Sequence, residues 1–225
     1  MKAWWTDLRR RALLTKAPEG ALKRYLEVPF PPPHLDYREV RFLALDFETT
    51  GLDPKRDAVV SFGFLPVEGA RIQLSGANCG LVKTPRGVDK SATIHGLFDD
   101  ALAEGLELSA ALDTILTALT GRVLLAHHAP IELGFLNAAC RRHYGLPFLA
   151  HVVDTLALAR RRLERRAQPL TAEALRLSTL RERHHLPRYK SHDALSDALA
   201  TAELFLALSA EHSGNEPLSL KRLLY

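Results

Sequence analysis

Two carboxylates one residue apart close an apolar run in "FLALDFETTGL" (Phe42–Leu52). In an extended strand, residues i and i+2 project from the same face. Asp46 and Glu48 would therefore point the same way from the end of a buried strand. Two such acids repel, and one tends to keep its proton unless a cation lies between them. Hard divalent cations accept carboxylate oxygens of this kind. The other reading is a turn before Gly51, in which the acids are ordinary turn residues.

Two more segments carry residues of the same chemistry. In "LLAHHAPIELGFL" (Leu124–Leu136) a strand ends at His127 and a helix starts near Pro130. Glu132 falls in the first turn of that helix, where the helix dipole alone favours an acid by ~0.3–1 kcal/mol. His127 and His128 fit equally well as strand-end residues with internal partners. In "HDALSDA" (His192–Ala198) Asp197 sits inside a helix whose cap is Ser191 or Asp193. A histidine such as His192, placed beside an activated water, is suited to general-base work at neutral pH.

The elements that must position these residues read as an α/β pattern. "VRFLALDF" is the first strand, and "AVVSFGFLPVEGARIQLSG" is a hairpin around a Glu-Gly turn. "LSAALDTILTALTG" is a helix with Ser109 as candidate cap and Gly121 as stop. "RVLLAH" is a short strand, and "PIELGFLNAACRRHYG" is a helix from Pro130 to before Gly145. A strand leading into a helix over "HVVDTLALARRRLERR", a helix over "TAEALRLSTLRERHH" and a long helix from "HDALSDA" complete the pattern. Strands interleaved with helices predict a helix-covered sheet, and the hairpin makes that sheet mixed. Asp154 reads as a helix cap. Ligands of such sheets sit beyond the carboxyl ends of the strands.

The chain divides by composition into an N-terminal helical arm with a Pro-rich linker (1–38), a main domain (39–212) and a C-terminal tail (213–225). The prolines of "VPFPPPHLD" predict a semi-rigid polyproline spacer. At 225 residues, with 47% hydrophobic and 25% charged residues, the chain can bury a core without staples. Two cysteines, Cys79 and Cys140, have neither metal nor disulfide spacing. That usage, without a secretory signal or membrane span, predicts a cytoplasmic protein. A net charge of +4 leans weakly toward polyanionic partners. The positive runs Arg160–Arg166 and Arg181–Lys190 read as phosphate contacts or as solvated helix faces.

Taken together and in this order, the three acidic segments resemble the motifs of the DEDDh class of 3′–5′ exonucleases. This superfamily includes the proofreading epsilon subunit of bacterial replicative DNA polymerase. "LDFETTGL", "AHHAPIELGFL" and "HDALSDA" resemble its first, second and third motifs, and "TIHGL" (Thr93–Leu97) a segment near the terminal nucleotide. The likeness spans roughly residues 40–210. A related class has tyrosine four residues before the last Asp; this chain has Asp193 there and His192 before it, which is the DEDDh pattern. Two positions depart from the family: His128 stands where it usually has Asn, and Glu132 where it usually has Asp.

The resemblance implies a ribonuclease H-like fold, with a mixed five-stranded sheet flanked by helices and preceded by the N-terminal helical extension. It implies two divalent ions, Mg²⁺ or Mn²⁺, held by Asp46, Glu48, Glu132 and Asp197, with His192 as the base that deprotonates the attacking water. The expected reaction releases nucleoside 5′-monophosphates from single-stranded or frayed 3′ ends, with DNA favoured over RNA although the motifs do not separate the two. Thr49, Thr50, Gly51, Leu52, His95, His127, Arg188 and Lys190 are the expected substrate contacts. The alternatives are an RNA-trimming or oligonucleotide-degrading enzyme and, from another class, a weakened nucleic-acid-binding module tethered to a polymerase. The arm's Trp4, Trp5 and Leu13 are expected to pack back on the core, with docking of a protein partner as the other use.

Overall fold

The computed structural model describes residues 3–84, 104–189, 193–214 and 216–225. The apolar run before the paired acids forms β1 (Phe42–Thr49), which lies in the middle of the sheet. Its side chains alternate between two cores. Leu43, Leu45 and Phe47 enter one, and Phe42 and Ala44 enter the other. A strand covered on both faces reads as continuous apolar sequence, as this one does.

β2 (Val59–Glu68) pairs antiparallel with β1. Gly69 and Ala70, both with φ near +57°, make the tight turn into β3 (Arg71–Ile72). That backbone suits a two-residue hairpin. β4 (Asn78–Leu81) pairs with β2 further along the same edge. On the other side of β1 lie β5 (Val123–Ala126) and β6 (Val152–Asp154), both parallel. The order is β3-β2-β1-β5-β6, with β4 beside β2. The sheet is therefore mixed, and six strands fill the five expected positions because β3 and β4 share one. The sequence "NCGL" of β4 has no alternation that would mark it as a strand.

One face carries α2 (Ala21–Glu27), α3 (Leu108–Leu119) and α4 (Pro130–Tyr144), preceded by α1 (Ala3–Leu14). The other carries α5 (Thr155–Arg165), α6 (Leu177–Arg183), α7 (Ala194–Ser213) and α8 (Leu220–Leu223). α4 starts at Pro130 and stops at Gly145, whose φ of 70° is the left-handed conformation that ends helices. Ser109 lies inside α3 and does not cap it; Glu107 occupies the cap position. The helix expected from Thr171 to His185 is broken. A 3₁₀ turn (Glu173–Leu175) precedes α6, because the Leu175 carbonyl is taken by the His127 ring and Arg176 is extended.

The arm is part of this packing. Ala21, Leu22, Tyr25 and Leu26 are buried in the same core as Leu43 and Leu45. The Tyr25 hydroxyl donates to the Leu149 carbonyl at 2.8 Å. Leu13 packs against that core, whereas Trp5 stays 47% exposed. The proline segment is tied to the fold: Phe30 is buried, and the carbonyls of Pro33 and Leu35 accept from the N–H groups of Lys221 and Leu220. Among the described residues, no helix is long and apolar enough to cross a membrane.

Deleting residues 1–36 should lower the melting temperature by more than 10 °C, on roughly 2–4 °C per kcal/mol and about 1.5–3 kcal/mol for each buried Leu or Phe side chain. An unchanged melting temperature would show that arm and sheet are energetically independent.

Candidate metal-binding active site

Asp46 lies opposite Gly63 of β2, and Glu48 opposite Ser61, at the carboxyl end of β1. The pairing register shifts between Glu48 and Thr49, so the strand ends in an irregularity just past the acids. Asp46 and Glu48 follow Phe42 and Ala44 on the face that α7 covers. Gly63 lies on that face too, in line with Leu65 and Val67. A methyl group at Gly63 would stand 2.2 Å from the backbone nitrogen of Leu195 and 2.4 Å from the carbonyl carbon of Ala194. The first turn of α7 therefore rests directly on the strand backbone. Its cap is Asp193, which accepts from the Ser196 N–H at 2.8 Å.

This contact delivers Asp197 to the strand acids. Ligand oxygens of Asp46, Glu48 and Asp197 all lie within 4.8 Å of one another. Glu132, from the first turn of α4, is buried at 3% exposure, and its Oε2 finds no hydrogen-bond partner among the described residues. Burial raises the Glu132 carboxyl to about 8, with the charge of Asp154 adding to the rise. Asp46 is held well above the ordinary carboxylate range, first by burial and then by the charges of Glu132, Asp197, Glu48 and Asp193. Glu132 is not among the acids whose oxygens meet within 4.8 Å, but its charge acts on Asp46; a buried carboxylate oxygen without a partner fits a divalent cation and is unfavourable without one.

The loop after β1 is shaped by the residues expected to meet substrate. The Thr49 hydroxyl donates to the Gly51 carbonyl at 2.7 Å. The Thr50 hydroxyl accepts from the Ala58 N–H at 2.9 Å. A methyl group on Gly51 would collide with the Asp57 carboxylate. Leu52 is left 74% exposed at the tip.

His127 has both ring nitrogens committed. Nε2 donates to the Leu175 carbonyl at 3.1 Å, so Nδ1 is the acceptor of the Thr155 hydroxyl at 2.8 Å. Burial pulls its pKa down to about 4, so the ring is neutral at pH 7. What it presents to the cavity beside the acids is a ring surface rather than a charge. His128 adopts φ 72°, a region where Asn is enriched, and its N–H donates to Asp154. Asp154 also caps α5, accepting from Leu156 and Ala157.

An open cavity of about 680 Å³ adjoins the acids. Asp46, Asp197, His127, Arg176, Arg188 and Tyr189 line it. Arg188 is exposed and pairs with Glu182 at 2.5 Å. Arg181 is not available for phosphate contact: it is buried and bound to Glu203 and to the carbonyls of Ala200 and Pro187. The Arg160–Arg166 run lies elsewhere, where Arg162 and Arg166 pair with Glu211 near the far end of α7. His95, Lys190 and His192 lie outside the described residues. The sequence reading missed Gly63; a glycine inside an apolar strand is the signal that another backbone approaches closely.

The family model for "Exonuclease", of the ribonuclease T type, matches residues 43–205. The PolC-type DNA polymerase III of Thermotoga maritima is 31% identical over 171 residues, which is 76% of this chain but 12% of that protein. The epsilon subunit of DNA polymerase III from Treponema pallidum is 28% identical over 178 residues, covering 79% of this chain and 80% of the relative. The exonuclease I structure from Methylocaldum szegediense superposes with a TM-score of 0.63 at 20% identity, covering 78% of this chain and 41% of that one. E. coli exonuclease I, solved with a dT13 oligonucleotide, gives 0.61 at 16% identity, covering 79% and 42%. These two likenesses concern the fold. The chain belongs to the exonuclease family.

Gly63→Ala should lower the melting temperature by at least ~2 °C, since overpacking costs ~1–3 kcal/mol and each kcal/mol is worth ~2–4 °C at this size. It should also weaken Mn²⁺ binding in a calorimetric titration by moving Asp197 away. Unchanged values in both would show that α7 yields freely. Because the Glu132 carboxyl is raised from 4.5 to about 8, it favours the folded state when protonated. Metal-free protein should lose stability as pH rises from about 5 through 8, Mn²⁺ should reverse the loss, and Glu132→Gln should flatten the slope. Melting curves in EDTA that stay level across this range would contradict the assignment.

Proposed function

We propose that this chain is a metal-dependent 3′–5′ exonuclease that shortens single-stranded or frayed DNA ends and releases nucleoside 5′-monophosphates. The observation that carries the reading is the acid cluster. Three carboxylates meet within 4.8 Å, and Glu132 adds a buried fourth with an unpartnered oxygen. Membership of the exonuclease family, relatives named as epsilon and PolC-type polymerase, and a fold shared with an oligonucleotide-bound exonuclease I support it.

Asp46, Glu48, Asp197 and Glu132 would hold two divalent cations, Mg²⁺ or Mn²⁺, which when bound supply charge stabilisation to the phosphate and acidify water. The residues supply the rest. The rigid end of β1 fixes Asp46 and Glu48, and the capped start of α7 fixes Asp197. His192, directly before the capping Asp193, accepts the proton of the attacking water. Leu52 and the tied loop from Thr49 to Ala58 meet the terminal nucleotide. Arg188, at the cavity, meets a phosphate, so binding should weaken with salt. Glu132 differs from Asp by one methylene and starts from a buried helix turn, so its reach is set by α4.

The test is a 5′-labelled single-stranded DNA oligomer, with a matched RNA oligomer, incubated with Mg²⁺ or Mn²⁺. The expected product is a ladder that shortens from the 3′ end, faster on DNA. Asp197→Ala and Glu132→Ala should each reduce the rate at least ~100-fold, the scale on which removing one preorganised electrostatic contact to the transition state acts. Glu132→Asp should stay active. Faster shortening of RNA would move the substrate assignment, and no shortening with either metal would favour the binding-module reading. A fully active Glu132→Ala would remove that residue from the site.

A further inference from the structure

Tyr189 is a large aromatic side chain left 37% exposed, on the wall of the cavity that also holds Asp46 and Asp197. Exposed aromatics are common, but this one is held on two sides. Its hydroxyl donates to Glu203 Oε1 at 2.8 Å. The Arg181 guanidinium covers the ring, 4.7 Å from its centroid. Arg181 is itself immobilised: it is 4% exposed and donates to Glu203 Oε2, the Ala200 carbonyl and the Pro187 carbonyl, each at 2.7 Å. Glu203 and Ala200 belong to α7, the helix that carries Asp197. The ring is thus fixed to the same rigid body as a catalytic acid.

A fixed ring loses little freedom when a ligand stacks on it. Arg176 and Arg188 line the same cavity, each in an ion pair at its wall, with Glu173 at 2.6 Å and Glu182 at 2.5 Å, from which a phosphate can draw the guanidinium. An aromatic face flanked by arginines is the combination that unpaired nucleotides select, stacking on the ring while phosphates meet the charges.

We propose that Tyr189 is a stacking platform for an unpaired base of the substrate strand, close to the scissile end. The platform takes single-stranded nucleic acid with little preference among bases, because every base has a face to stack. It rests on the nuclease reading of the acid cluster. The Arg181–Glu203 pair acts as a positioning unit, holding the ring from behind.

The experiment uses the full chain and a 5′-fluorescein dT10 oligomer in Ca²⁺ for binding, with shortening in Mg²⁺ measured separately. Tyr189→Ala should raise Kd ~5–100-fold, the range of base–aromatic stacking per base. Tyr189→Leu should match it, whereas Tyr189→Phe, which keeps the ring and loses the Glu203 bond, should stay within ~3-fold of wild type. A set of dT10 strands with one abasic site at each of the last four 3′ positions locates the stacked base. At that position wild type should weaken and Tyr189→Ala should lose nothing further. Binding by Tyr189→Ala within twofold of wild type overturns the platform, as does Tyr189→Phe failing as badly as Tyr189→Ala, which would make the residue a loop anchor. Normal shortening by wild type alongside either result would leave the nuclease reading intact and remove only the platform. Absence of wild-type shortening would remove the nuclease reading itself.

Discussion

The site depends on the absence of one methyl group. At Gly63 the backbone of β2 touches the backbone of α7, with no side chain between them. β1 holds Asp46 opposite that glycine, so the same contact sets how far Asp197 stands from Asp46. Below it, Ala198 and Ala202 keep α7 low on the sheet, and Phe205 packs against Phe42 with ring centroids 4.8 Å apart. Small residues near the acids and an aromatic further down seat the helix at a fixed height. Any larger group at the glycine would lift the end that bears the acid.

The second constraint is charge. Asp46 feels the charges of Glu132, Asp197, Glu48 and Asp193, and burial raises its pKa further. Such a cluster opposes folding when its members are ionised, so the surrounding scaffold must hold it together. Two well-satisfied acids do this work nearby. Asp193 caps α7, and Asp154 gathers the N–H groups of His128, Leu156 and Ala157, joining the end of β5 to the start of α5. His127 links the same strand end to Thr155 and Leu175. These bonded groups keep the strand ends in place beside the acid cluster.

The chain ends strengthen the frame from the far side. Tyr25, buried and bonded to the Leu149 carbonyl, fixes α2 to the core beneath β1. The Asp36 carboxylate is held well below its usual range by the Arg38 guanidinium, and it also accepts from the N–H of Leu218. The Tyr225 N–H donates to the carbonyl of Val152, the first residue of β6. A proline-rich stretch cannot form a helix, but its carbonyls remain free to accept, and the tail supplies the donors.

The local order of the chemistry was legible in the sequence. The spacing of Asp46 and Glu48 placed them on one face, because strand geometry has a period of two whatever lies around it. Pro130 and Gly145 marked the ends of α4, and Asp193 was a candidate cap, since such signals act within a few residues. The resemblance to the family motifs singled out the same acids. What spacing could not carry is distance between segments far apart in the chain. That Asp197 meets Asp46, that Arg181 is buried behind Tyr189 and not on a phosphate, and that His127 is spent within the fold all follow from which backbones touch. Those contacts were decided by Gly63, by the packing of α7 on the sheet and by the pairing of buried polar groups, which exist only once the chain is folded.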